Sequence, residues 1–342
     1  MCMNDNLVGT GLIIVGSVLN GLWAYPMKCV KDWRWENIWF LFGLFGLVIL
    51  PWVVALLTVP GLFTIYARTP SALVLGVLGL GCAWGVGSLL FGLGVSALGF
   101  SLGYAMVIGS SAVLGTVIPA LLFNPELVST RRGGALMVAL FIMIAGLVSF
   151  ATAGRKREAL TAKVSGGGTY KILSNTQFLR GLGICFLSGL LSACFNFGFA
   201  VTRPLLDLVV ESGTPRTFAT NAVWALVMSA GFVPSALYCV WLFRKHQSFK
   251  QFSKGTVNWL FGLLMGFLWM ASVVLYGFGA VFIGSAGATL GWPVLMAGTV
   301  ITANLLGLAT REWIGTGWET KKYLFTGIGL LVLSVVIIGS AS

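Results

Sequence analysis

Nine neutral side chains lie inside long apolar runs of this chain, where a polar group costs free energy unless something satisfies it. They are Asn20, Trp23, Trp84, Ser88, Ser192, Asn196, Asn221, Trp269 and Tyr276. An amide offers donors and an acceptor, and a hydroxyl can do either. Indole and phenol rings add flat apolar faces with a donor at the edge. Such a set suits a small neutral polyol with one apolar face, so these nine are the candidate substrate-binding residues. Each also has an ordinary use. An intramembrane Asn commonly bonds a neighbouring helix, and a Trp near the end of an apolar run settles at the membrane interface. The interfacial reading is the one expected for Trp35, Trp39, Trp52, Trp241, Trp313 and Trp318. Trp84 and Trp269 lie near mid-run and suit cavity lining and helix packing equally.

Charge is scarce where these residues sit. From Gly255 to Thr310 there is no Asp, Glu, Lys, Arg or His. Ionisable groups inside a bilayer are costly and usually functional, so their absence argues against a strongly charged substrate. The acids fall near the ends of apolar runs, at Glu36, Glu126, Asp207, Glu211 and Glu312. Glu36 and Glu312 are the candidates for carrying a coupling proton. Their plainer readings are a solvated helix N-terminus for Glu36 and a local ion pair with Arg311 for Glu312. The single histidine, His246, is expected in a loop, and none of the six cysteines has metal-ligand spacing with it. No cofactor or metal is expected. No nucleophile, carboxylate pair or ligand set for an enzyme is visible.

The elements that must position these residues follow from composition. Of 342 residues, 58% are hydrophobic and 9% charged, against roughly 25% charged in a soluble protein. Most of the surface must face the lipid bilayer. The net charge of +12 is then a matter of topology, not of a nucleic-acid partner. Hydrocarbon needs about 20 apolar residues per crossing helix, and ten runs qualify: 7–26, 36–58, 71–96, 100–122, 134–153, 178–201, 217–243, 257–282, 286–308 and 323–340. The first lacks a basic n-region and a cleavage site and is expected to be a retained span. Sixteen of the 21 Lys and Arg residues fall in the loops after spans 1, 5, 7 and 9. That side is expected to be cytoplasmic, which puts both termini outside.

The basic segment 154–177, with Gly166-Gly167-Gly168, divides five spans (1–153) from five (178–342). It is expected to be a mobile loop. Across that divide the chain repeats itself. "CAWGVGSLLFGLGVSALG" (Cys82–Gly99) aligns without gaps on "FLWMASVVLYGFGAVFIG" (Phe267–Gly284), matching Trp84 to Trp269, Phe91 to Tyr276 and Gly99 to Gly284. "GSVLNGLWA" (Gly16–Ala24) aligns on "SGLLSACFN" (Ser188–Asn196), matching Asn20 to Ser192. Five is odd, so a second copy enters from the opposite face. Such inverted repeats are a feature of secondary transporters. The expected fold is all-α, with ten transmembrane helices as two inverted five-helix repeats. Gly327, Gly329 and Gly339 in the last span would let two copies approach, which leaves a homodimer open.

"YPMKCVKDWRWEN" (Tyr25–Asn37), "LPWVVALLTVP" (Leu50–Pro60), "VLGTVIPALL" (Val113–Leu122), "SGLLSACFNFG" (Ser188–Gly198) and "REWIGTG" (Arg311–Gly317) follow in order with the repeat text. In this ordered set the chain resembles the L-rhamnose–proton symporter family, a branch of the drug/metabolite transporter superfamily. The resemblance implies ten helices, the bacterial cytoplasmic membrane, and uptake of a deoxy sugar with a proton. It also implies a cavity lined by spans 1–4 and 6–9, with spans 5 and 10 peripheral. Lys28, Trp33, Trp35 and Glu36 match the family's span 1–2 junction without an assigned role. The residues themselves leave the coupling ion, proton or sodium, open. They also leave an exporter or facilitator of an apolar or aromatic metabolite as the alternative.

Overall fold

The computed structural model describes residues 3–164 and 175–341. Among them, ten helices are long and apolar enough to cross a membrane, and there is no strand. They are α1 (Met3–Leu22), α2 (Trp35–Thr58), α3 (Ser71–Leu98), α4 (Phe100–Phe123), α5 (Arg131–Val164), α6 (Asn175–Ala200), α7 (Arg216–His246), α8 (Thr256–Ile283), α9 (Gly287–Ala309) and α10 (Trp318–Ala341). Hydrocarbon offers backbone N–H and C=O groups no partner, so each apolar run closes its own hydrogen bonds as a helix.

Two boundaries differ from expectation. Helix α5 continues to Val164, so residues 154–164 of the segment read as a loop are helical. Nothing between Arg155 and Val164 is Gly or Pro, and Arg, Lys, Ala and Leu are good helix formers. Gly166-Gly167-Gly168 lies outside the described residues. Helix α7 runs past its apolar stretch through Arg244, Lys245 and His246. Cations favour a helix C-terminus, and the histidine closes a helix instead of sitting in a loop.

The hairpins α3–α4 and α8–α9 turn at Gly99 (φ 84°) and Gly284 (φ 88°). A side chain is disfavoured in that left-handed region, so the first turn is made by one residue, Gly99, and the second by three, 284–286. Helix α1 packs on α8 and α9, α3 on α6 and α7, α4 on α6, and α5 on α10. Small residues set these distances. Gly9 and Gly279 face each other so closely that a β-carbon on Gly279 would stand 2.5 Å from the Gly9 carbonyl oxygen. Gly327 is spent inside the chain, with a β-carbon there 3.1 Å from the Gly146 carbonyl oxygen, whereas Gly329 has open space around it.

Three of the prolines that interrupt these helices share one arrangement. A helical proline frees the carbonyl four residues before it, and in lipid that oxygen needs another donor. Pro119 frees Gly115, whose oxygen accepts from Asn196 Nδ2 at 2.8 Å. Pro234 frees Ala230, which accepts from Cys82 Sγ at 3.3 Å. Pro51 follows a π-helical stretch, Leu44–Ile49. It frees Leu47, which accepts from Ser229 Oγ at 3.5 Å, and the same hydroxyl accepts from Trp52 Nε1 at 2.8 Å. Each break is thereby stitched to a neighbouring helix.

A Gly279→Val change forces side-chain bulk into the α1–α8 contact. Overpacking of this kind costs about 1–3 kcal/mol. Thermal unfolding of the purified protein in detergent is expected to shift down by several degrees, while Gly329→Val leaves the midpoint unchanged.

Candidate functional site

The helix halves nearer the loops that follow α1, α5 and α9 do not close on one another. They surround a cavity of about 1200 Å³ with charged residues at its mouth and aromatic residues at its floor. Glycine-mediated contacts hold the opposite halves together, and Phe199, Trp224 and Tyr276 fill the space there.

The floor is built by Trp23, Trp84 and Trp269, with Phe195 supporting it from behind. Trp84 (α3) and Trp269 (α8) stack with centroids 5.9 Å apart and planes 16° apart. Phe195 (α6) leans on Trp84 at 4.9 Å, and Trp23, just past α1, meets Trp269 edge-on at 5.3 Å. Among them lie polar groups with nothing to bond. Asn20 is 6% exposed and lines the cavity, yet its amide has no hydrogen-bond partner among the described residues. Ser192 lines it likewise. The Trp269 Nε1 donor and the Ser111 hydroxyl are buried and unpartnered. Ser88 is less available, because its hydroxyl donates to Gly85 O at 2.7 Å.

Six of the nine candidate residues therefore meet around one cavity: Asn20, Trp23, Trp84, Ser88, Ser192 and Trp269. The other three are buried behind its wall and bonded. Asn196 donates to Gly115 O and Ala288 O (2.8 and 3.1 Å) and accepts from the Tyr276 hydroxyl at 2.5 Å. Asn221 donates to Thr58 Oγ1 at 3.0 Å. Of the six tryptophans expected at the interface, Trp35, Trp39, Trp241 and Trp313 line the cavity instead, and Trp52 and Trp318 do not. Nearness to a span end carries no signal for whether a ring turns toward lipid or inward. Trp292 and Ser111 also line the cavity, and so do Leu147, Phe150, Gly154 and Arg157 of α5, so span 5 is part of the lining and not peripheral to it as the family resemblance implies.

Charge enters only at the mouth. Of the side chains lining the cavity, Lys28, Arg157 and Glu312 alone are charged. Glu312 does not pair with adjacent Arg311. It takes Lys28 Nζ on one oxygen and Arg157 Nη1, at 3.2 Å, on the other. Arg157 also covers the Trp313 ring at 4.8 Å. Burial raises the carboxyl's pKa, but Lys28 and then Arg157 outweigh it and hold it below the ordinary 4.5. Glu36 is not a solvated helix end either. It is 3% exposed, lies outside the cavity lining, and accepts from Ser248 Oγ at 2.7 Å while pairing with His246 Nδ1 at 2.9 Å.

A family model described as L-rhamnose-proton symport protein matches residues 3–342. The chain belongs to that family. It is 25% identical over 342 residues to a protein of Mannheimia succiniciproducens named L-rhamnose-proton symporter, with 97% of each chain covered. Proteins of the same name from Cronobacter sakazakii and Yersinia pestis are 25% identical over 346 and 349 residues, with 98% of each chain covered. Ten apolar helices and membership of this bacterial family make the chain a multi-pass inner-membrane protein.

The mouth cluster has a testable pH dependence. A carboxyl whose folded pKa lies below its unfolded value adds stability above 4.5, and that contribution is lost as pH falls through the lower folded value. Glu312→Gln is expected to lower the thermal midpoint at neutral pH. The difference from the parent protein should vanish at a pH well below 4.5. A constant difference across that range would mean that the ion pairs contribute nothing.

Proposed function

We propose that this protein takes up L-rhamnose, or a closely related neutral deoxy sugar, together with protons by alternating access. The observation that carries the reading is the unspent polarity of the floor. Asn20 and Ser192 line the cavity without protein partners among the described residues, beside two stacked indoles. Sugar hydroxyls would satisfy the former, and the apolar face of a pyranose would lie on the latter. The relatives' shared name supports the substrate and the ion, and the export alternative gains no support from it.

An inverted duplication supplies the two alternating states. Its support is the recurrence of contacts at positions the sequence repeat equates. Trp269 rests on Trp23 as Trp84 rests on Phe195. A β-carbon on Gly16 would press on the Ser272 carbonyl oxygen at 2.9 Å, and the Ser188 hydroxyl bonds the Gly87 carbonyl. The halves are 1–153 and 178–342, with α5 extended to Val164. With the basic loops cytoplasmic and both termini outside, the cavity faces the cytoplasm. Of the two acidic candidates, Glu312 lines the cavity and Glu36 braces the wall behind it. A carboxylate held below its ordinary range in the inward-open state is one that releases its proton to the cytoplasm, which is the direction symport needs.

Labelled L-rhamnose is expected to accumulate in proteoliposomes under an inward proton gradient, and a protonophore should abolish accumulation. Uptake that only equilibrates would remove the coupling. Asn20→Leu should raise KM about tenfold, which corresponds to about 1.4 kcal/mol. Trp84→Ala should cut uptake at unchanged folded yield.

A further inference from the structure

The floor occupies a small part of the cavity. At about 1200 Å³ the space exceeds the roughly 300–1,000 Å³ of sites that enclose a whole drug-sized ligand. A single sugar on Trp84 and Trp269 leaves the outer part open, and that part is not featureless. A chain of ring contacts leads out of the floor. Trp23 meets Trp39 at 6.0 Å, and Trp39 stacks on Trp35 at 5.1 Å and 22°. Trp35 meets Tyr238 edge-on at 6.4 Å, and Tyr238 stacks on Trp241 at 5.7 Å and 25°. All of these rings line the cavity.

A second observation separates this rim from an ordinary interfacial belt. Ser235 precedes Tyr238 by three residues and Trp241 by six, so all three share one face of α7. It is 4% exposed, lines the cavity, and has no hydrogen-bond partner among the described residues. Its hydroxyl opens onto the cavity with its hydrogen-bonding capacity unused by the protein, so a ligand or water completes it. Aromatic faces beside an unspent hydroxyl repeat the chemistry of the floor.

We infer that Trp35, Trp39, Tyr238, Trp241 and Ser235 form a second, rim-level site for a neutral pyranose, distinct from the floor site. The inference rests on the sugar-transport reading. A sugar leaving the floor passes to the rim by stacking on Trp39 and Trp35 before it meets water, so release proceeds in two short steps and not one long one.

The test uses the full chain, purified, with Ser235→Cys and separately Ser192→Cys as reporters. Maleimide labelling of the introduced thiol is followed by peptide mass spectrometry, with L-rhamnose as the probe. L-rhamnose is expected to slow labelling at position 235 at least threefold. Protection there should persist when Trp84→Ala disables the floor and disappear with Trp35→Ala and Trp241→Ala combined, while protection at position 192 survives in that rim variant and so confirms its fold. Protection at 192 without protection at 235 overturns the rim site alone. Protection at 235 that vanishes with Trp84→Ala also overturns it, because the floor site would then be closing the cavity at a distance. Protection at neither position overturns both the rim site and the transport reading.

Discussion

A bilayer interior offers no hydrogen bonds, and every other feature of this molecule follows from where its polar groups find partners. Helices satisfy the backbone. Where Pro119 and Pro234 break their helices, the freed carbonyls are met by side chains from neighbouring ones, Asn196 on Gly115 and Cys82 on Ala230. Those side chains are thereby consumed, which is why their polarity carries no information about a ligand. Buried polar atoms without a partner also occur away from the cavity, at Asn221 Oδ1, Trp224 Nε1 and Ser272 Oγ. Asn20, Ser192 and Ser235 differ from them in lining the cavity, where a ligand can reach them.

The remaining architecture keeps that unsatisfied set accessible. Close backbone contacts, as between Gly9 and Gly279, pull the helices together on one side of the membrane. On the other side, bulky rings at Trp23, Trp84 and Trp269 hold them apart. The cavity mouth is tied by charges from three separate parts of the chain, Lys28, Arg157 and Glu312, where water still reaches and ionisation costs little.

Much of this was legible in the sequence, for reasons that also define what was not. Hydropathy alone located the ten helices, because spanning hydrocarbon requires length and leaves few alternatives. Six of nine candidate side chains met in one cavity, because a polar or aromatic residue at mid-span has few places to go. Asn196 was read as a ligand contact because its true partner is a carbonyl exposed by Pro119, 77 positions before it, and no local pattern reports a bond between helices. Trp35, Trp39 and Trp241 were read as belt residues because a ring at a span end looks the same whether it faces lipid or an interior space. Glu312 was matched with its neighbour Arg311, while its observed partner Lys28 comes from the opposite end of the chain. Glu36 looked solvated because the loop that buries it lies beyond α7.

The pairing of Glu36 with His246 has a practical corollary. The chain contains one histidine, and it joins the start of α2 to the end of α7. Selective isotopic labelling of that amino acid alone would give a single imidazole signal. Its chemical shift would register whether these two helices stay clasped as the molecule cycles, with no engineered tag and no alteration of the native protein.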